Sequence, residues 1–175
     1  GSEIMKSATN PPKDDEQTFR LFQEAHTVGV FNFESDEMRR YLKILQPSTF
    51  EELIALNTMY RPRIIDCIDG YTKRKHGLEA ITYYHPIMEK YLKETYGVII
   101  YQEQLMLLSQ EIANYMPEER DLLARAVCHH RPTQSKPALK EKFIRGGMEN
   151  GYTEEFLEKI WRDWMRCGNY LFNKS

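Results

Sequence analysis

The spacing of apolar residues constrains this chain most, because it follows the turn of a helix and almost nowhere the alternation of a strand. Tyr101, Leu105, Leu108 and Ile112 fall at i, i+4, i+7 and i+11, one face of a helix expected over 101–115. Phe19 and Phe22, then Met38, Tyr41, Leu42 and Leu45, then Leu53, Ile54 and Leu56 carry the same period upstream. Phe156, Ile160 and Trp164 form a last stripe, predicting a helix from Glu154 to about Arg166. Only Val30-Phe31-Asn32-Phe33 and Val98-Ile99-Ile100 read as extended, and such short runs cannot found a sheet. The expected fold class is all-α, a multi-helix domain with at most short extended segments.

End signals sharpen the boundaries. Thr49 with Glu52 three residues on has capping-box form, and Pro47 supports a break just before it. Pro117 suits the first turn of a helix, and Glu118 and Glu119 complement its dipole. Residues 131–137 hold two prolines and read as a loop, followed by a helix from about Ala138 that Gly146-Gly147 is expected to weaken or end. Residues 1–13 read as a tag remnant or linker, with Gly1-Ser2 like a cloning scar. Residues 14–175 then form one helical domain, partial and truncated at its C-terminal end.

No apolar run approaches the roughly 20 residues that cross a bilayer, so no membrane partner is expected and a cytoplasmic location is. Cys67, Cys128 and Cys167 stand singly, which suits free thiols. The net charge is only −2, yet Arg61, Arg63, Lys73, Arg74 and Lys75 cluster within 61–76. Arg120, Arg125, Arg131, Lys136, Lys140, Lys142 and Arg145 make a second basic region. Guanidinium groups bind phosphate oxygens in pairs, so two basic regions in a near-neutral chain point to a phosphate-bearing partner. No phosphate-binding glycine loop, H-E-x-x-H pair or nucleophile elbow is present, so no catalytic residue and no metal ligand is assigned. Cys128-His129-His130 offers zinc-capable groups, but adjacent residues rarely converge on one tetrahedral ion, and the histidines are read as facing phosphate.

Several runs resemble a known family. Gly29-Val30-Phe31-Asn32-Phe33-Glu34-Ser35 with Met38-Arg39 is similar to the G-[VI]-F-Q-[LF]-E-S-x-x-M signature of bacterial DNA polymerase III alpha subunits. In the family's order follow Phe50-Glu51-Glu52-Leu53-Ile54-Ala55 with Tyr60-Arg61-Pro62, then Arg74-Lys75-His76-Gly77, and Thr95-Tyr96-Gly97-Val98 with Tyr101-Gln102-Glu103-Gln104. Phe172-Asn173-Lys174-Ser175 closes the set, and Trp161-Arg162-Asp163-Trp164 looks most like the Bacteroidetes branch. The resemblance implies a fingers domain that contacts the incoming deoxynucleoside triphosphate and template DNA. It implies that the catalytic Mg2+ ions belong to a palm domain of the parent, with no cofactor in this fragment. The implied partners are primer-template DNA and deoxynucleoside triphosphates, with the sliding clamp and other replisome subunits met through regions absent here. The nucleotide- or DNA-binding candidates are Arg61, Arg63, Lys73, Arg74, Lys75, Arg125, His129, His130, Asn173, Lys174 and Ser175. The parent would be a DNA-directed DNA polymerase and this fragment inactive alone.

Departures from the family pattern gather at the nucleotide-facing motifs. R-P-G-P stands here as Arg61-Pro62-Arg63-Ile64, and L-R-[RK]-A-M-G-K-K as Leu123-Ala124-Arg125-Ala126-Val127-Cys128-His129-His130. The usual small residue before F-N-K-S is Leu171. Replacing two lysines by His129 and His130 removes two fixed charges at neutral pH. A second expectation is therefore a non-catalytic helical module that binds DNA or protein, from a divergent, impaired paralogue.

Overall fold

The computed structural model describes residues 12–62, 64–128, 136–168 and 171–174. Within these, helices alternate with turns and no sheet forms, which agrees with the all-α expectation. The chain divides into two compact units, residues 1–79 and 80–175.

The first unit holds α1 (Glu16–Gln23), α2 (Asp36–Leu45), α3 (Phe50–Met59) and α4 (Cys67–Lys75). Each of the first three starts where a side-chain oxygen accepts an otherwise orphaned backbone N–H: Asp15 from Thr18, Ser35 from Met38, Thr49 from Glu52. Met38, Leu42 and Leu45 bury one face of α2 completely, and Leu53, Leu56 and Met59 do so on α3. Ile68 and Tyr71 of α4 complete the core. The sequence pattern did not foretell α4, because its apolar stripe is only these two residues within a basic run.

The second unit holds α5 (Pro86–Leu92), a 3-10 turn (Lys93–Thr95), α6 (Gln102–Ala113), α7 (Pro117–Cys128), α8 (Lys136–Glu149) and α9 (Glu154–Cys167). Leu105, Leu108 and Ile112 are fully buried, so the clearest stripe in the sequence lies at the centre of this core. Phe143, Trp161 and Trp164 pack ring against ring beside it.

Three expectations need correction. Gly146-Gly147 does not end α8; both glycines are buried inside the helix. A Cβ at Gly146 would stand 2.4 Å from the Ala113 carbonyl oxygen, and one at Gly147 would stand 2.3 Å from Leu157 Cδ2. The pair lets α6 and α9 approach α8 closely, and that gain outweighs the weak helix propensity of glycine. Helix α8 also begins at Lys136 rather than near Ala138, with Pro137 in its first turn, where a missing N–H costs nothing. Val30–Phe33 is not extended but coiled into successive turns, with Val30 N–H donating to Thr27 O and Phe33 N–H to Val30 O. Gly29 (φ 81°) and Asn32 (φ 66°) adopt the left-handed conformation that these turns require.

Candidate nucleic-acid interface

Of the sequence-predicted cations of the first unit, Lys73, Arg74 and Lys75 lie on α4 and Arg61 on the segment before it. Lys73, Arg74 and Lys75 occupy the last turn of α4, where positive charge also complements the helix dipole. The three do not form a bare basic face. Lys73 Nζ is 2.7 Å from Asp69 one turn back, and that carboxylate holds the exposed ammonium above the ordinary lysine value. Arg74 Nε is 2.9 Å from Glu79. Lys75 is committed furthest: its Nζ is 2.7 Å from Glu52 Oε2, with the two side chains only 10% and 3% exposed. The same ammonium donates to Gln46 O at 2.6 Å, and Glu52 also accepts the Ser48 N–H at 2.7 Å. The expected capping-box acid thus reaches back past the cap and ties α3 to α4.

Arg61 is half-buried and lines a cleft of about 400 Å³ with Phe31, Asn32, Glu34, Ser35, Asn57 and Tyr60. Sequence reasoning assigned no role to Phe31, Asn57 or Tyr60. The paired turn residues Gly29 and Asn32, which flank an aromatic residue, were the available signal.

In the second unit Phe172 and Lys174 of the F-N-K-S run are held at the N-terminus of α6. Gln102 N–H donates to Phe172 O at 2.9 Å and Phe172 N–H to Ile100 O at 3.0 Å, a single parallel bridge between Tyr101 and Phe172. Glu103 accepts the Lys174 N–H at 3.2 Å. Gln104 fixes the approach by accepting from the Ile100 and Tyr101 N–H groups and donating to Thr95 Oγ1 at 2.8 Å. The Tyr101-Gln102-Glu103-Gln104 run therefore works as a bracket for the chain end. It leaves Asn173 exposed, while the Lys174 ammonium pairs with Glu94 and lies over the Tyr101 ring.

Arg125 is exposed on α7 and has no ion-pair partner among the described residues. Of its neighbours in the second basic region, Lys140 is 2.9 Å from Glu158 and Lys142 pairs with Glu119, while Arg131 lies outside the described residues. Arg63, His129, His130 and Ser175 lie outside the described residues. Among the described residues no cluster of three or more His, Cys, Asp or Glu could hold a metal ion, and no helix is long and apolar enough to cross a membrane.

The fold is that of an all-helical module with Phe172–Lys174 held against α6, and comparison with known proteins gives its family. Residues 2–151 match the family described as the bacterial DNA polymerase III alpha subunit finger domain. The DNA polymerase III subunit alpha of Aquifex aeolicus is 43% identical over 166 residues, covering 94% of this chain and 14% of the relative. That of Halalkalibacterium halodurans is 40% identical over 164 residues, covering 94% and 15%, and that of Chlamydia trachomatis 38% over 172 residues, covering 98% and 14%. The chain belongs to the bacterial DNA polymerase III alpha subunit finger-domain family. It spans about 14% of the length of the first of these relatives.

Proposed function

We propose that this chain is the part of a bacterial replicative DNA polymerase that contacts the incoming deoxynucleoside triphosphate and the template strand, in a parent that is a DNA-directed DNA polymerase. Residues 14–175 serve as the fingers. The observation that carries the reading is the family match over 2–151, joined by the bracket that holds Phe172–Lys174 against α6. Arg125 and Asn173 are the contributors whose exposure supports the role, and Arg61 contributes from its cleft. Ser175 is proposed on the motif alone, and Arg63, His129 and His130 on their places in motifs where they replace a glycine and two lysines. The role is electrostatic positioning of phosphates, with Mg2+ and the carboxylates for phosphoryl transfer supplied by a palm elsewhere in the parent. Primer-template DNA, deoxynucleoside triphosphates and replisome subunits including the sliding clamp are the partners of that parent.

The experiment is titration of a labelled primer-template with this chain at several salt concentrations, beside a primer-extension assay with Mg2+ and all four nucleotides. Expected are weak binding that falls with salt, weaker again in Arg125→Ala, and no extension. Salt-independent binding, or robust extension abolished by EDTA, would refute the reading. The pairing of Lys73, Arg74 and Lys75 with acids inside the first unit favours a second reading, a non-catalytic binding module from an impaired paralogue. Three catalytic aspartates in the parent's palm would exclude it.

A further inference from the structure

We infer that the cleft beside Phe31 is a stacking site for one unpaired nucleobase of single-stranded DNA, with Phe31 as the platform and Arg61 at the adjoining phosphate. The inference rests on the DNA-binding reading above and adds a site to it.

Phe31 is 82% exposed, an unusual position for a phenylalanine, and its loop is built to keep it there. Two residues on, Phe33 turns inward and meets the Phe22 ring edge to face at 5.2 Å. Thr27, fully buried, donates its hydroxyl to Phe33 O at 2.5 Å, closing the loop on itself. Asn32 at φ 66° separates the inward ring from the outward one. The loop is thus anchored through Thr27 and Phe33, and Phe31 extends from an ordered base.

The cleft walls are ordered too. Tyr60 donates its hydroxyl to Glu37 Oε2 at 2.9 Å and packs edge to face on Tyr41 at 6.0 Å. Ser35 Oγ lies 3.3 Å from the same hydroxyl. The volume of about 400 Å³ falls in the range of small-ligand sites, and the lining combines two aromatic side chains, two amides, a serine hydroxyl, a carboxylate and a guanidinium. Every base has a π-face, so an exposed aromatic ring binds any of them, and a neighbouring cation fixes the backbone. The Glu34 carboxylate in the same lining repels phosphate from its own side and accepts a hydrogen bond from an exocyclic base amine. Charge therefore orients the nucleotide, with its phosphate toward Arg61.

The test compares two labelled oligomers of equal length at low salt by fluorescence anisotropy: oligo-dA and an abasic oligomer with the same backbone. Wild-type chain is expected to favour oligo-dA by fivefold or more, the range that base stacking on one aromatic residue supplies. Phe31→Ala should bring the two affinities together, and Phe31→Trp should preserve the preference. Equal affinities in the wild type, or a preference unchanged in Phe31→Ala, overturns the stacking site while leaving DNA binding intact. Binding to neither oligomer overturns both readings. Because Phe31 is exposed, its substitution should leave the circular dichroism unchanged, so loss of preference cannot be ascribed to unfolding.

Discussion

Removing either partner of the Lys75–Glu52 pair should destabilise the first unit far more than removing an ordinary surface charge. At 2.7 Å and an effective dielectric constant of 20, the attraction is about 6 kcal/mol before desolvation is subtracted. Truncating one partner also leaves the other charge buried against Gln46 O and Ser48 N–H, so Lys75→Met or Glu52→Gln should each cost about 3–5 kcal/mol. The paired replacement Glu52→Leu with Lys75→Met should restore much of that loss, because no uncompensated charge remains. Urea denaturation followed by far-ultraviolet circular dichroism measures these differences. Tryptophan emission adds a control, since Trp161 and Trp164 both lie in residues 80–175. Costs below about 1 kcal/mol for both single variants, the value of exposed pairs, would refute the buried-pair reasoning. If Lys75→Met instead weakened DNA binding at unchanged stability, Lys75 would be a phosphate contact after all.

Gly146→Ala should destabilise the chain by about 1–3 kcal/mol despite alanine's better helix propensity, because the new methyl meets a backbone carbonyl at 2.4 Å; an unchanged melting temperature would contradict this. Gly147→Ala should cost less, since it meets the side chain of Leu157. Burial pushes the Cys128 thiol up to about 12, so only about 10⁻⁴ of it is thiolate at pH 8, and mass spectrometry should find it alkylated far more slowly than free cysteine. Three acids sit below their ordinary values: Asp15 through the Thr18 hydroxyl, Glu111 through the Tyr91 hydroxyl, and Glu119, where burial raises the value but Lys142 and the Met116 N–H outweigh it. Depressed carboxyl groups stabilise the fold above their unfolded values and lose that effect as pH falls through the folded ones. The melting temperature should therefore hold from neutral pH to about 4.5 and fall below it, and a rise there would contradict the assignments.

The helices legible in the sequence were those with long apolar stripes or clear caps. Helix α6 was marked by Leu105, Leu108 and Ile112, and α3 by Thr49 with Glu52. Helices α4 and α5 were not, because at nine and seven residues they carry too few apolar positions to establish a period. The glycine pair in α8 misled for a related reason. Propensity is a local quantity, while the close approach of Ala113 and Leu157 that needs those glycines is tertiary. The run Val30–Phe33 looked extended from its β-branched and aromatic residues, but Gly29 and Asn32 decided the backbone.

The candidate site was legible in its motifs and much less so in its charges. A run such as Lys73-Arg74-Lys75 gives the sign of each residue but not the partner that tertiary structure brings to it. Glu52 lies 23 positions before Lys75, and no local pattern pairs them. Once Asp69, Glu79 and Glu52 are in place, the run contributes little net field with which to attract a polyanion. Arg125 is the opposite case, one arginine flanked on its helix by the buried Ala124 and Ala126, yet exposed and without a described acidic partner. Counterion release depends on cations that can reach phosphate, so a single accessible arginine of this kind should affect DNA affinity more than the three consecutive cations at the end of α4.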